Sequence, residues 1–225
     1  MKIPVKGVII PTDDKWIYDW FGMDSTTPRD IEEALSKSNG LPVDVEINSG
    51  GGDIFAGSEI YTQLRGYKPG VRITVVGLAA SAASVIAMAG PSEISPTAMV
   101  MVHNVTTDTW GDYRAMDHSS DVLKRANRAM AAAYIAKSGM SEKDALAMMD
   151  KETWLTAQQA IDVKLIDRAM FSDTRLIASF GSQMLPFEVI QKMRSSRENP
   201  PPENVSAAGS IKAKIELLRL RGEMK

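Results

Sequence analysis

A repeated switch of hydrophobic period constrains this chain more than any other feature. Residues 5–10, 43–47, 71–76 and 99–103 are short apolar runs of strand length, and the segments between them carry apolar residues at helical spacing. Strands that alternate with helices bury their apolar faces by laying the helices on a mostly parallel sheet, so the fold class reads as α/β. Residues 28–38 and 54–67 read as helices that pack on that sheet, the second presenting Ile54, Gly57, Tyr61 and Leu64 on one face. From 112 to 137, Met116, Leu123, Ala126, Met130, Ala133 and Ile135 form an approximate helical stripe, which predicts one extended helix. Ser141 followed by Asp144, and Thr156 followed by Gln159, match the capping box and predict two further short helices.

Composition removes several function classes. With 225 residues and 44% apolar content the chain can bury one sizeable core. Its net charge of -2 supplies no field that would favour nucleic acid or an anionic membrane. It has no cysteine, which excludes a thiolate nucleophile, a disulfide framework and sulfur-ligated metal. Two histidines, His103 and His118, restrict the choice of general base and speak against a histidine-rich metal site. The N-terminus lacks the apolar core of a signal peptide, and the small-apolar stretch from 75 to 90 is broken by Gly77, Ser81 and Ser84. A cytoplasmic protein with no membrane-spanning segment is expected. Composition changes after about residue 175, which predicts a first domain over 1–175 and an extension over 176–225. Within the extension, residues 195–209 around Pro200, Pro201 and Pro202 read as a linker. Ile211, Ile215 and Leu218 beyond it predict an amphipathic terminal helix that seeks a partner surface.

Chemistry-bearing residues collect where strands end. The run at 71–76 is followed by Gly77-Leu-Ala-Ala-Ser81-Ala, which reads as a strand turning sharply into a helix with Ser81 at the helix start. There, unpaired N–H groups and the positive end of the helix can stabilise an oxyanion, and the small neighbours leave room for a substrate backbone. A serine at a helix start is also a common cap, and the segment alone fits either reading. Asn48-Ser-Gly-Gly-Gly52-Asp53 lies between a strand and a helix; its glycines can turn N–H groups toward a ligand, or simply make a turn that ends in an Asp53 cap. The spacing of a P-loop is absent. His103, at the end of a strand, can deliver an imidazole to the sheet edge, whereas His118 reads as a solvated helix residue. Asp150 and Glu152 offer carboxylates that could orient the imidazole or be ordinary surface charges.

Taken together, Ile47-Asn-Ser-Gly-Gly-Gly52, Gly77-Leu-Ala-Ala-Ser81-Ala, Met101-Val-His103 and Glu152-Thr-Trp-Leu-Thr-Ala157 resemble the proteolytic subunit of the Clp proteases, in order and with similar separations over roughly residues 5 to 170. The resemblance implies a β-α spiral core, of the kind shared with crotonases, and a long handle helix. It implies a serine endopeptidase with Ser81 as nucleophile, His103 as general base, and the N–H groups of Gly52 and Ala82 as oxyanion hole. Glu152 stands where the family has an aspartate, with Asp150 as the alternate acid. Lys164 stands where a glycine is expected just past a helix end. No cofactor or metal is implied. The implied partners are a polypeptide substrate and further copies of the chain in a ring.

The short segment before the first strand, the Glu-Thr-Trp motif and the C-terminal extension look most like the Clp-related head maturation proteases of tailed bacteriophages and prophages. On that resemblance the substrate is a capsid or scaffold protein, and an AAA+ unfoldase partner is left open. The competing expectations are a general Clp-type subunit working with an AAA+ unfoldase, a crotonase-like acyl-CoA enzyme, and a non-catalytic assembly scaffold that keeps the fold.

Overall fold

The computed structural model describes residues 1–171. The expected boundary near 175, the linker at 195–209 and the terminal helix lie outside the described residues. No helix among the described residues is long and apolar enough to cross a membrane.

Each apolar run identified above becomes a strand of one mixed, largely parallel sheet. Strands β1 (Lys2–Ile9), β2 (Ser25–Thr26), β3 (Val43–Gly52), β4 (Val71–Ala80), β5 (Ser92–Ile94) and β8 (Arg168–Ala169) lie in the order β2-β1-β3-β4-β5-β8. Two more strands branch from that path. β6 (Met99–Val102) runs parallel to β4, and β7 (Thr153–Thr156) pairs antiparallel with β6. The long β4 serves two neighbours in turn, β5 along Ile73–Val75 and β6 along Leu78–Ala80. That fork brings the carboxyl ends of β3, β4 and β6 together, the end of an open α/β sheet at which ligands generally bind.

A bulge makes the fork possible. The β3–β4 register jumps from Ile47 opposite Val75 to Ser49 opposite Ala79, so β4 spends two extra residues there. Asn48 Oδ1 fills the gap by accepting the Leu78 N–H at 3.1 Å. A Cβ on Gly77 would stand 2.4 Å from that oxygen, which is why the position is a glycine.

Helices α2 (Pro28–Lys37), α3 (Ile54–Gly66) and α4 (Ala82–Ala87) form a neighbouring layer over Val5, Val45, Ile47, Ile73 and Val75. Burying those five side chains stabilises the fold by about 1.5–3 kcal/mol each before chain entropy is counted. In β3 the opposite face alternates with the core face and carries charge, since Asp44 and Glu46 pair with Arg72 and Lys2 on the flanking strands. The short helix α1 (Lys15–Trp20) leaves Trp16 and Trp20 exposed.

Several expectations need correcting in detail. The buried stripe of α3 is Ala56, Gly57, Ile60 and Leu64, not Ile54 and Tyr61, which are only half-buried. The extended helix exists as α5 (Tyr113–Ser138), capped by Asp112 and closed by Gly139 at φ 76°. Its buried residues, however, are confined to Ala131, Ala133 and Tyr134, while Met116 and Val122 in its first half are exposed. Both short helices start as the caps predicted, α6 (Glu142–Asp150) on Ser141 and α7 (Ala157–Asp162) on Thr156. At Ser141 the box is incomplete, because the Asp144 carboxylate accepts from the Ser141 hydroxyl and not from its backbone N–H. Lys164 adopts the left-handed φ of 60° that a glycine would take without steric cost.

Candidate active site

Ser81 follows β4 directly and forms the N-cap of α4, with φ 53° and ψ -126°. A non-glycine residue in that conformation costs on the order of 1–3 kcal/mol, which the surrounding structure must overcome. Both sides of its backbone are fixed: the N–H donates to the Met101 carbonyl on β6 at 3.0 Å, and the carbonyl accepts from the Ser84 N–H at 2.9 Å. Gly51 supports the turn from the other side. A Cβ there would fall 2.6 Å from Ser81 Cβ and 2.7 Å from the Ala80 carbonyl oxygen, so only a glycine lets β3 approach so closely.

The hydroxyl of Ser81 makes no capping bond to α4. It lies 2.7 Å from His103 Nε2, the distance at which an imidazole with its proton on Nδ1 accepts a serine hydroxyl proton. His103 reaches this point because it follows β6, whose last residues pair with the end of β4. The chain beyond it is tied down twice. Asn104 Nδ2 donates to Asp150 Oδ1 at 2.8 Å, and Asn127 Oδ1 on α5 accepts the Val105 N–H at 2.8 Å. His118 is exposed on α5.

Gly52 and Ala82 line the same small cavity as Ser81 and His103, about 60 Å³ in volume and walled by Ile54, Val85, Met130 and Tyr134. Ala82 opens α4, so its N–H has no acceptor within the helix. Gly52, at φ 148°, packs its α-carbon against β1, where a Cβ would meet the Ile9 carbonyl oxygen at 2.1 Å. A larger cleft of about 690 Å³ shares Gly52, Ile54, Val105 and Thr106 with the small cavity. It continues past Val8, Phe55 and Leu123.

The carboxylates stand apart from the imidazole. Glu152 accepts from Trp154 Nε1 at 3.2 Å, and Asp150 is engaged with Asn104; neither is hydrogen-bonded to His103. His103 and Glu152 nevertheless flank the same end of the β6–β7 pair. The ladder pairs Met101 with Trp154 and ends at Val102 with Thr153, with His103 directly after β6 and Glu152 in the turn directly before β7. Glu152 itself has a φ of 46°.

Three supporting residues escaped the sequence reading: Asn48, Ser84 and Tyr134. Asn48 sits inside the glycine motif, yet its side chain acts across the sheet. Ser84 and Tyr134 are 50 positions apart and meet only in the fold, with their hydroxyl oxygens 2.8 Å apart. Burial pushes the Tyr134 phenol up to about 12, against the opposing effect of its Ser84 hydrogen bond, so it stays protonated at neutral pH.

Comparison with known proteins bears on the family and the fold. Residues 33–173 match the family model described as Clp protease. The chain is similar to the ATP-dependent Clp protease proteolytic subunit 1 of Chlamydia abortus, at 29% identity over 165 residues, covering 68% of this chain and 85% of that protein. It is similar to the ATP-dependent Clp protease proteolytic subunit of Bacteroides fragilis at 26% identity over 164 residues, covering 70% and 79%. Among solved structures, a ClpP1 point mutant from Listeria monocytogenes shares the fold with a TM-score of 0.61 at 20% identity, covering 75% of this chain and 90% of that one.

Proposed function

The chain belongs to the Clp protease family, and from that premise we propose that it is a serine endopeptidase whose peptidase domain spans residues 1–175, with Ser81 as nucleophile and His103 as general base. The observation that carries this reading is the 2.7 Å contact between Ser81 Oγ and His103 Nε2 at the joined ends of β4 and β6. His103 takes the hydroxyl proton as Ser81 attacks a peptide carbonyl. The N–H groups of Ala82 and Gly52 stabilise the oxyanion that forms, and His103 returns the proton to the leaving amine. Water, activated by the same imidazole, then releases the acyl-enzyme.

Glu152 orients the imidazole in this reading. Its support is its place directly before β7, at the end of the β6–β7 pair that His103 follows, and the role requires its side chain to leave Trp154 and turn toward His103 Nδ1. The 690 Å³ cleft is large enough to hold several residues of an extended polypeptide. The exposed Met116 and Val122 on α5 fit a homo-oligomer in which that half of the helix is covered by another copy. The reading includes a cytoplasmic location and, as physiological substrate, a capsid or scaffold protein processed during phage head maturation. A second reading is favoured by the names of the relatives: a general proteolytic subunit that works with an AAA+ unfoldase.

Labelling with an alkyl fluorophosphonate tests the chemistry. Ser81→Ala should abolish labelling and His103→Ala should slow it severely. Undiminished labelling of the Ser81→Ala protein would sink the assignment. Cleavage of a candidate capsid precursor without ATP, against cleavage of an unfolded protein only with an unfoldase and ATP, separates the two substrate readings.

A further inference from the structure

The carbonyl of Ser81 accepts a third hydrogen bond, and that bond leads away from the active site. Ser84 Oγ lies 2.6 Å from the Ser81 carbonyl oxygen and 2.8 Å from the Tyr134 hydroxyl. The direction of this chain is fixed by which atoms carry protons. A carbonyl can only accept, so the single Ser84 proton goes to Ser81, and Tyr134 must therefore donate to Ser84. Ser84 is fully buried and Tyr134 nearly so, and each hydroxyl finds its partner within the protein.

We propose that Ser84 and Tyr134 are positioning residues for the nucleophile, holding the Ser81 peptide in its left-handed turn so that Oγ stays within reach of His103. The proposal rests on the serine-peptidase reading and extends it to α5. The need for such a device follows from the backbone of Ser81, which sits where a non-glycine residue is strained and must be held by its neighbours. Three donors converge on its carbonyl: the N–H groups of Ser84 and Val85, and the Ser84 hydroxyl. Of these, only the hydroxyl is itself anchored to another element. Tyr134 supplies that anchor from a helix that is fixed one turn further on, where Lys137 Nζ donates to the Gly90 carbonyl at 2.9 Å and to Asp167 at 2.5 Å. A shift of α5 therefore pulls on the carbonyl of the nucleophile. Small displacements of a reacting group are costly, with about 1 Å corresponding to on the order of a hundredfold in rate.

The test compares Ser84→Ala, Tyr134→Phe and the double variant, reading acylation rate by an alkyl fluorophosphonate, the kcat and KM of a fluorogenic peptide, and Tm. Ser84→Ala should lower acylation and kcat roughly tenfold with little change in KM, and Tyr134→Phe should lower them less, because the Ser84 bond to Ser81 survives. Each single change also leaves one buried hydroxyl short of a partner and lowers Tm. The double variant removes both hydroxyls, so its Tm should recover toward wild type while acylation stays low. A double variant that recovers acylation together with Tm would overturn the proposal, since the pair would then be serving stability alone. If Ser84→Ala does not fold, Tyr134→Phe and the double variant still decide. Labelling that persists in Ser81→Ala defeats the peptidase reading itself; labelling confined to Ser81 with a wild-type rate in the double variant defeats only the positioning role.

Discussion

The two ends of the candidate Ser-His-acid line are built to different standards. At the Ser81 end the peptide is bonded on both sides, the hydroxyl meets His103, and Gly51 is pressed against the turn. At the Glu152 end the carboxylate is exposed and bonded to Trp154, and it shares with His103 only the end of the β6–β7 pair that both flank. Rigidity is concentrated where the geometry is demanding, since a nucleophile and its base must be held within hydrogen-bond reach. An orienting carboxylate needs only to swing into place. The single chain therefore fixes the candidate nucleophile against its candidate base and leaves the candidate acid engaged elsewhere.

Substitutions can break that contrast, beginning with the largest effect. Ser81→Ala and His103→Ala should each reduce peptide hydrolysis by roughly 10⁴-fold or more, measured as kcat/KM, while the fold persists by circular dichroism. At the other end, Glu152→Gln should lower kcat by about 10²-fold, and Asp150→Asn, which only loosens Asn104, should lower it far less. The reverse order would transfer the orienting role to Asp150. Gly51→Ala should cost on the order of 2–3 kcal/mol of stability, and activity should fall further than the drop in Tm accounts for, because the added methyl strikes Ser81 itself. The loss should be much smaller for an alanine at Gly50, which has open space where its Cβ would be.

A fourth expectation concerns pH. Partial burial pushes the Asp167 carboxyl upward, but hydrogen bonds from Lys137 and Ser92 and the Lys137 charge outweigh it, so its pKa lies below the ordinary aspartate value. A depressed folded pKa means that this stabilisation is present above the unfolded pKa and is lost as pH falls through the folded one. Denaturant titrations should therefore show wild type and Asp167→Asn differing at neutral pH and converging below about pH 4. A gap that widened on acidification would contradict the assigned sign. The smallest effect is expected at Lys164, where glycine removes left-handed strain: Lys164→Gly should raise stability by about 0.5–1 kcal/mol, seen as a small rise in Tm without change in activity.

Much of this architecture was legible because it is local. Short apolar runs marked the strands, helical spacing marked α2, α3 and α5, and Ser141 and Thr156 cap helices where their capping residues predicted. The burial of α5 was not legible, because an apolar stripe says that a face seeks cover without saying whether this chain provides it. The exposed Met116 and Val122 are the outcome. The two readings of Ser81, cap or nucleophile, were equivalent in sequence and differ in space only by the direction of one hydroxyl.

For Ser81, the sequence by itself determined a serine between a strand and a small-residue helix, with a glycine loop before it and His103 after it. Those are facts of order along the chain. Tertiary structure alone decided that β4 forks between β5 and β6, that Gly51 abuts the turn, and that Ser84 and Tyr134 join behind it. The physical reason is range: propensity and capping act over a few residues, whereas strain at Ser81 is held by groups that folding brings in from β3, β6 and α5.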